Sequence, residues 1–203
     1  CFPEVELSVR AAVHRLEELG AQLRPVVVPR TEEAAAMGRR ILAAEAASYH
    51  HEDLLTRGHL YGEETRTKLE KGSRILARDY VTALRTRSRL RAEWLTMFHD
   101  VDVLVSPTVP ATAVRTGEAA VTFPDGSREP MSQVFCRMTF PASVCGAPAL
   151  SVPCGFDSSG LPIGMQLMGR PFSEDVLLRV GQVYESVSPW VRRAPSLPPA
   201  DIR

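Results

Sequence analysis

The stretch "GFDSSGLPIGMQLMG", residues 155–169, sets Ser158 and Ser159 beside Gly160. A serine pair next to a glycine can carry a hydrolytic nucleophile when glycines on both sides let backbone amides close on an oxyanion. Here Asp157 precedes the pair and apolar runs flank it. The same residues therefore read as turn chemistry between two strands. Lys68 and Lys71 are the only lysines, both in the charged stretch "YGEETRTKLEKGS". A solvated ammonium there holds its proton too tightly to act as a base. Neither a GxSxG elbow nor an SxxK pattern occurs, so the other serine hydrolase templates find no match.

Cysteine is the other nucleophile to weigh. Cys136, Cys145 and Cys154 follow one another at intervals of nine, and Cys1 opens the chain. No CxxC pair exists, and His14, His50, His51, His59 and His99 all lie in the first half. Metal sites and disulfide scaffolds cluster more tightly than this, so no metal is expected. The three spaced cysteines read as small buried thiols in an apolar sheet region, where burial raises the thiol pKa and suppresses reactivity. A Cys–His pair would have to reach back to His99 or earlier.

The elements that would position such groups alternate between helix and strand. Val5, Val9, Ala12, Val13, Leu16 and Leu19 recur at helical spacing up to Gly20. "RPVVVP" predicts a short buried strand, and Thr31 caps an alanine-rich helix continuing to about Leu55. After the charged helical stretch, Ser73 caps the longest helix, running to about Phe98. Its arginines (Arg74, Arg78, Arg85, Arg87, Arg89, Arg91) are spread around the helix and read as a solvated face rather than a nucleic-acid footprint. "VDVLVSPTVP" is a strand leading into a proline-ruled loop over residues 106–131, with a turn at Asp125-Gly126. A short helix over Ser132–Val144 precedes the strands "APALSVPCGF" and "LPIGMQLMG". A last helix from Ser173 to about Ser186 turns Val176, Leu177, Val180 and Val183 inward, before the proline-rich tail "SPWVRRAPSLPPADIR", expected along the surface.

Such alternation predicts an α/β fold with helices layered on a buried sheet. At 203 residues and 44% hydrophobic, the chain can bury a sizeable core. Its 24 basic and 24 acidic residues balance, so no global field steers it to nucleic acid. No apolar run approaches the roughly 20 residues that cross a bilayer. A cytoplasmic protein is expected. The chain opens on Cys1 within a helical pattern, which suggests part of a longer protein.

"DVLVSPTVPATA", "TFPASVCGAPALSVPCGF" and "GLPIGMQLMGRPFSEDVLLRVGQVYE" together resemble the carboxy-terminal part of amidase signature enzymes. "FPEVELSVRAAVHRLEELGAQ" and "YGEETRTKLEKGSRILARDYVTAL" match the same family in the same order. The resemblance implies a layered, twisted mixed β-sheet covered by helices. It implies hydrolysis of a carboxamide to acid and ammonia or amine through a Ser–cis-Ser–Lys acyl-enzyme mechanism, with neither metal nor cofactor. In the family the lysine and the glycine-serine-rich segment lie upstream of the region matched here. Residues 1–203 are thus expected to be the C-terminal part of one amidase signature domain, with no catalytic residue of their own and an N-terminal part still to be supplied.

The A subunits of tRNA-dependent amidotransferases place an aspartate, which helps to hold the amino group of glutamine, three residues before the threonine of the segment matching "CRMTFPASVCGAPAL". Cys136 stands there, beside Arg137, with Thr139 following; Arg66 falls where those subunits carry basic residues near the substrate. Cys136, Arg137, Thr139 and Arg66 are the candidate substrate-binding residues. A thiol lacks the charge of that aspartate, which favours a free-standing amidase over the A subunit of an amidotransferase. The third reading is a non-catalytic binding or assembly domain of the same fold. The partners implied are a small carboxamide, the N-terminal half of the domain and a second copy in a homodimer, but neither nucleic acid nor membrane.

Overall fold

The computed structural model describes residues 1–193, apart from the side chain of Val191. The chain opens with α1 (Pro3–Glu18), followed by α2 (Thr31–Tyr49), α3 (His51–Arg57), α4 (Glu63–Gly72) and α5 (Ala77–Leu95). Then come β1 (Val103–Pro107), β2 (Ala120–Thr122), β3 (Arg128–Pro130), α6 (Met131–Val134) and α7 (Phe140–Cys145). The hairpin strands β4 (Ala149–Phe156) and β5 (Pro162–Gly169) precede α8 (Glu174–Val187). The α/β layering expected from the sequence is present. Every strand pairing among the described residues is antiparallel, and the main sheet runs β1-β5-β4, with β5 at the centre.

Period-two alternation in β5 builds the main core. Ile163, Met165 and Leu167 join Val152 and Cys154 of β4 on one face. Against that face lie Val5, Val9, Ala12 and Leu16 of α1 and Leu177 and Tyr184 of α8. Each large side chain buried here contributes about 1.5–3 kcal/mol. A second cluster forms where α2, α5 and α7 meet around Ala34, Ile41, Leu90 and Trp94. A smaller one joins Leu104 and Met168, on the opposite sheet face, to Phe98 and Ala142.

Several expected elements are corrected by these contacts. "RPVVVP" forms no strand: Val27 is 89% exposed, and Pro25 and Pro29 each lack an N–H for a ladder. The Trp94 indole instead pins the segment by donating to the Pro29 carbonyl at 2.9 Å. The alanine-rich helix breaks at His50 (φ −92°, ψ 8°), whose ring lies hydrogen-bonded to the Tyr61 hydroxyl at 2.9 Å. Thr31 provides no side-chain cap. Ser73 closes α4 by donating to the Glu70 carbonyl rather than opening α5. The helix expected over 132–144 is two short helices separated by a turn at residues 135–139, because Pro141 has no N–H to give to the Arg137 carbonyl. Within the proline-ruled loop, β2 and β3 form a hairpin around the Asp125-Gly126 turn. On α8, Val183 points outward and Tyr184 inward. The larger part of the expected proline-rich tail, 194–203, lies outside the described residues.

The cysteines also differ from a common sheet setting. Only Cys154 is on a strand; Cys145 ends α7, and Cys136 is half-buried on the 135–139 turn. Burial pushes the Cys145 and Cys154 thiols up to about 11, which leaves both protonated and unreactive at neutral pH.

The Asp157–Gly160 segment is the β4–β5 turn. The Gly160 amide donates to the Asp157 carbonyl at 2.9 Å, with Gly160 at φ +80°. Asp157 Oδ1 accepts from the Ser159 and Leu161 amides at 2.9 and 2.8 Å, and Oδ2 from the Thr112 hydroxyl at 2.7 Å. Partial burial opposes ionisation of this carboxyl, but these hydrogen bonds outweigh it and hold its pKa below the ordinary aspartate value. A depressed pKa stabilises the fold above the unfolded-state value of about 3.9 and loses that contribution as pH falls through the folded value. Asp157→Ala is expected to destabilise the protein by about 1–2 kcal/mol at pH 7. Urea melts at pH 7 and pH 3 should show the difference from wild type shrinking in acid.

Candidate functional site

The second face of the sheet is built from the residues that alternate with the core. Ser106, Gln166 and Ser151 stand directly opposite one another across β1, β5 and β4, one polar row over three strands. Thr108, just past β1, keeps the ladder by donating its amide to the Gly164 carbonyl at 2.9 Å. Its hydroxyl meets that of Ser151 at 2.6 Å. Gly164 lies beneath this pair, and a Cβ there would sit 2.9 Å from Thr108 Oγ1 and 3.0 Å from Ser151 Oγ. The hydroxyls can join across the strand because that side chain is missing.

Above this face lies a cleft of about 350 Å³. Thr108, Ser151 and Gln166 line its floor; Thr139, Ala142 and Ser143, from the 135–139 turn and α7, form one wall. Ala147, Ala149 and Leu150 complete it. Gln166 joins wall to floor. It is 6% exposed, and its Nε2 donates to the Met138 carbonyl at 3.0 Å and, longer, to Ser106 Oγ at 3.4 Å. Gly146 ends α7 at φ +63°, a left-handed conformation suited to glycine, and so turns the chain into β4.

The four residues expected at the site are not all brought together. Thr139 lines the cleft, its hydroxyl directed to the Cys136 carbonyl at 3.4 Å. Cys136 and Arg137 share the same turn, but Arg137 pairs with Glu129 of β3 and so faces the hairpin. Arg66 lies on the exposed side of α4, 3.8 Å from Glu70, and does not line the cleft. Thr108, Ser143, Ser151 and Gln166 were not foreseen as site residues. The signal was available for two of them: Ser151 and Gln166 interrupt apolar strands at positions whose neighbours face the core.

Among the described residues the cleft lining holds no nucleophile–base pair. Lys68 is exposed and pairs with Glu64 at 2.6 Å. Ser158 and Ser159 occupy the hairpin turn rather than the cleft. Among the described residues no three His, Cys, Asp or Glu side chains converge as metal ligands. What the cleft offers is hydroxyl groups and methyl groups at close quarters. Gly164→Ala is expected to force the Thr108–Ser151 pair apart and cost about 1–3 kcal/mol of stability. Chemical denaturation checks this, and the loss should be smaller when Ser151 is already alanine.

Residues 2–178 match the Amidase family model. An amidase of Pseudomonas putida is 40% identical over 195 residues, covering 96% of this chain and 42% of that protein. The A subunit of the glutamyl-tRNA(Gln) amidotransferase from Roseiflexus sp. (strain RS-1) is 35% identical, covering 97% of this chain and 44% of that protein. A solved crystal structure of an amidase superposes with a TM-score of 0.84 at 27% identity, over 92% of this chain and 42% of the other. The chain thus spans less than half the length of the curated relatives it matches. Sequence match and superposition point the same way: the chain belongs to the amidase signature family.

Proposed function

We propose that this chain is the C-terminal part of a single amidase domain, and that the complete protein hydrolyses a carboxamide to acid and ammonia or amine. In this reading an upstream segment supplies a lysine and two serines. One serine attacks the amide carbonyl, the amine leaves with a proton relayed through the second serine and the lysine, and water releases the acid from the acyl-enzyme. The region described here forms the substrate side of the site. The observation that carries this reading is the neutral hydroxyl-lined cleft on the sheet face of a chain matched to the amidase family. Two structural features support completion by a further segment. Strands β1 and β4 pair on one side only among the described residues, and Val26 and Val27 are exposed.

Of Cys136, Arg137, Thr139 and Arg66, Thr139 is the substrate-side residue in this reading, because it lines the cleft, whereas Arg137 turns to Glu129 and Arg66 to Glu70. The likeness to amidotransferase A subunits keeps a second reading open, ammonia transfer with glutamine as donor. Cys136 speaks against it, because a thiol gives glutamine's ammonium no counter-charge. The four free thiols suit the cytosol as the compartment.

The complete protein, incubated with simple amides, is expected to release acid and ammonia without added subunits. Hydroxylamine should divert part of the product to the hydroxamate, as an acyl-enzyme requires. The Ser158→Ala/Ser159→Ala double variant should retain kcat/KM within about twofold, since exposed turn positions away from the chemistry are near neutral. A coding sequence with no lysine and glycine-serine-rich segment ahead of Cys1 would overturn the reading. Activity only with partner subunits and glutamine would favour the amidotransferase.

A further inference from the structure

Among the described residues no ionisable side chain lines the cleft. Its polar groups are the hydroxyls of Thr108, Thr139, Ser143 and Ser151 and the amide of Gln166, and its apolar surface includes Ala142, Ala147 and Ala149. Arg137, on the turn that carries Thr139, is already paired with Glu129. Gln166 directs its Nε2 to Met138 and Ser106, so its amino group is committed to the protein. Thr108 and Ser151 use one hydroxyl hydrogen between them, which leaves the other free for a guest. The Thr139 and Ser143 hydroxyls donate to the Cys136 and Thr139 carbonyls, so a carboxylate entering here would meet the one hydroxyl hydrogen left by the pair and, among the described residues, no cation. An ammonium would meet no carboxylate. Either charge would lose its hydration shell without a counter-ion, whereas an uncharged guest loses far less.

We propose that the acyl group taken by the complete enzyme is small and uncharged, its aliphatic part against the alanine methyls and a polar atom at the Thr108–Ser151 hydroxyl pair. This rests on the amidase reading above and adds the substrate class. Charged amides are selected against by the missing counter-ion rather than by size, so pairs of similar length should be separated by charge alone.

The test compares butyramide with succinamate, which differ by a methyl group against a carboxylate, and pentanamide with L-glutamine, using the complete protein. The neutral member of each pair is expected to have kcat/KM about 100-fold higher or more. Equal rates, or preference for the charged member, would overturn the inference and leave the amidase reading standing. Hydrolysis of none of the four while bulkier amides are cleaved would overturn the inference alone; hydrolysis of no amide at all would overturn the amidase reading, and the inference with it. Ser143 is exposed at the wall, so Ser143→Lys places an ammonium at the cleft. This variant is expected to raise the succinamate-to-butyramide ratio by about tenfold or more. An unchanged ratio, in a variant that still turns over butyramide, would show that the selectivity arises elsewhere and overturn the assignment to this cleft.

Discussion

One buried primary amide ties the two sides of the cleft together. Gln166 stands at the centre of the middle strand with its row partners Ser106 and Ser151 on either side, and it reaches out of the sheet to the carbonyl of Met138. An amide in that position has to find partners, because an unpaired buried donor or acceptor costs about 1–3 kcal/mol. The partner it finds is the backbone of the turn that carries Cys136 and Thr139. The turn is therefore held at a fixed height over the sheet, and the cleft exists because of that separation.

Close approaches between small residues hold the other end of the same wall. Gly38 of α2 faces Phe140 and Val144 of α7, where a Cβ would come within 2.8 Å of both side chains. Gly72 lets α4 lie directly against the Ala43 carbonyl of α2. The second helix thus carries α4 on one side and α7 on another. A change at either glycine would be transmitted through packed side chains to the cleft wall, since close-packed interiors yield little.

The sheet separates stability from recognition by its alternation. One face of β5 is all core, with Met165 and Leu167 fully buried, and the other carries Gly164 and Gln166. The second face is mixed, since Met168 there packs into a smaller apolar cluster with Leu104, Phe98 and Ala142. The hydrophobic clusters under α1 and α8 lie across the sheet from the cleft, so the binding surface stays polar without weakening the core.

The sequence by itself determined the α/β class, the inward faces of α1 and most of α8, the β4–β5 hairpin and the family, because hydrophobic period, turn residues and ordered landmarks are local signals. It also placed Ser158 and Ser159 in a turn, where Asp157 accepts the amides that close it. Only the tertiary structure decided which residues form the cleft. Thr108 and Ser151 are 43 residues apart and meet only across Gly164, and Gln166 is 28 residues from the carbonyl it holds. The same dependence on partners explains the failed strand at "RPVVVP", whose valines have strand propensity but no neighbouring strand among the described residues. Arg137 was expected on the substrate side, yet its direction was set by Glu129 on a hairpin that local patterning did not reveal. Propensity acts within a few residues, whereas a binding surface is made by register and packing between segments far apart in the chain.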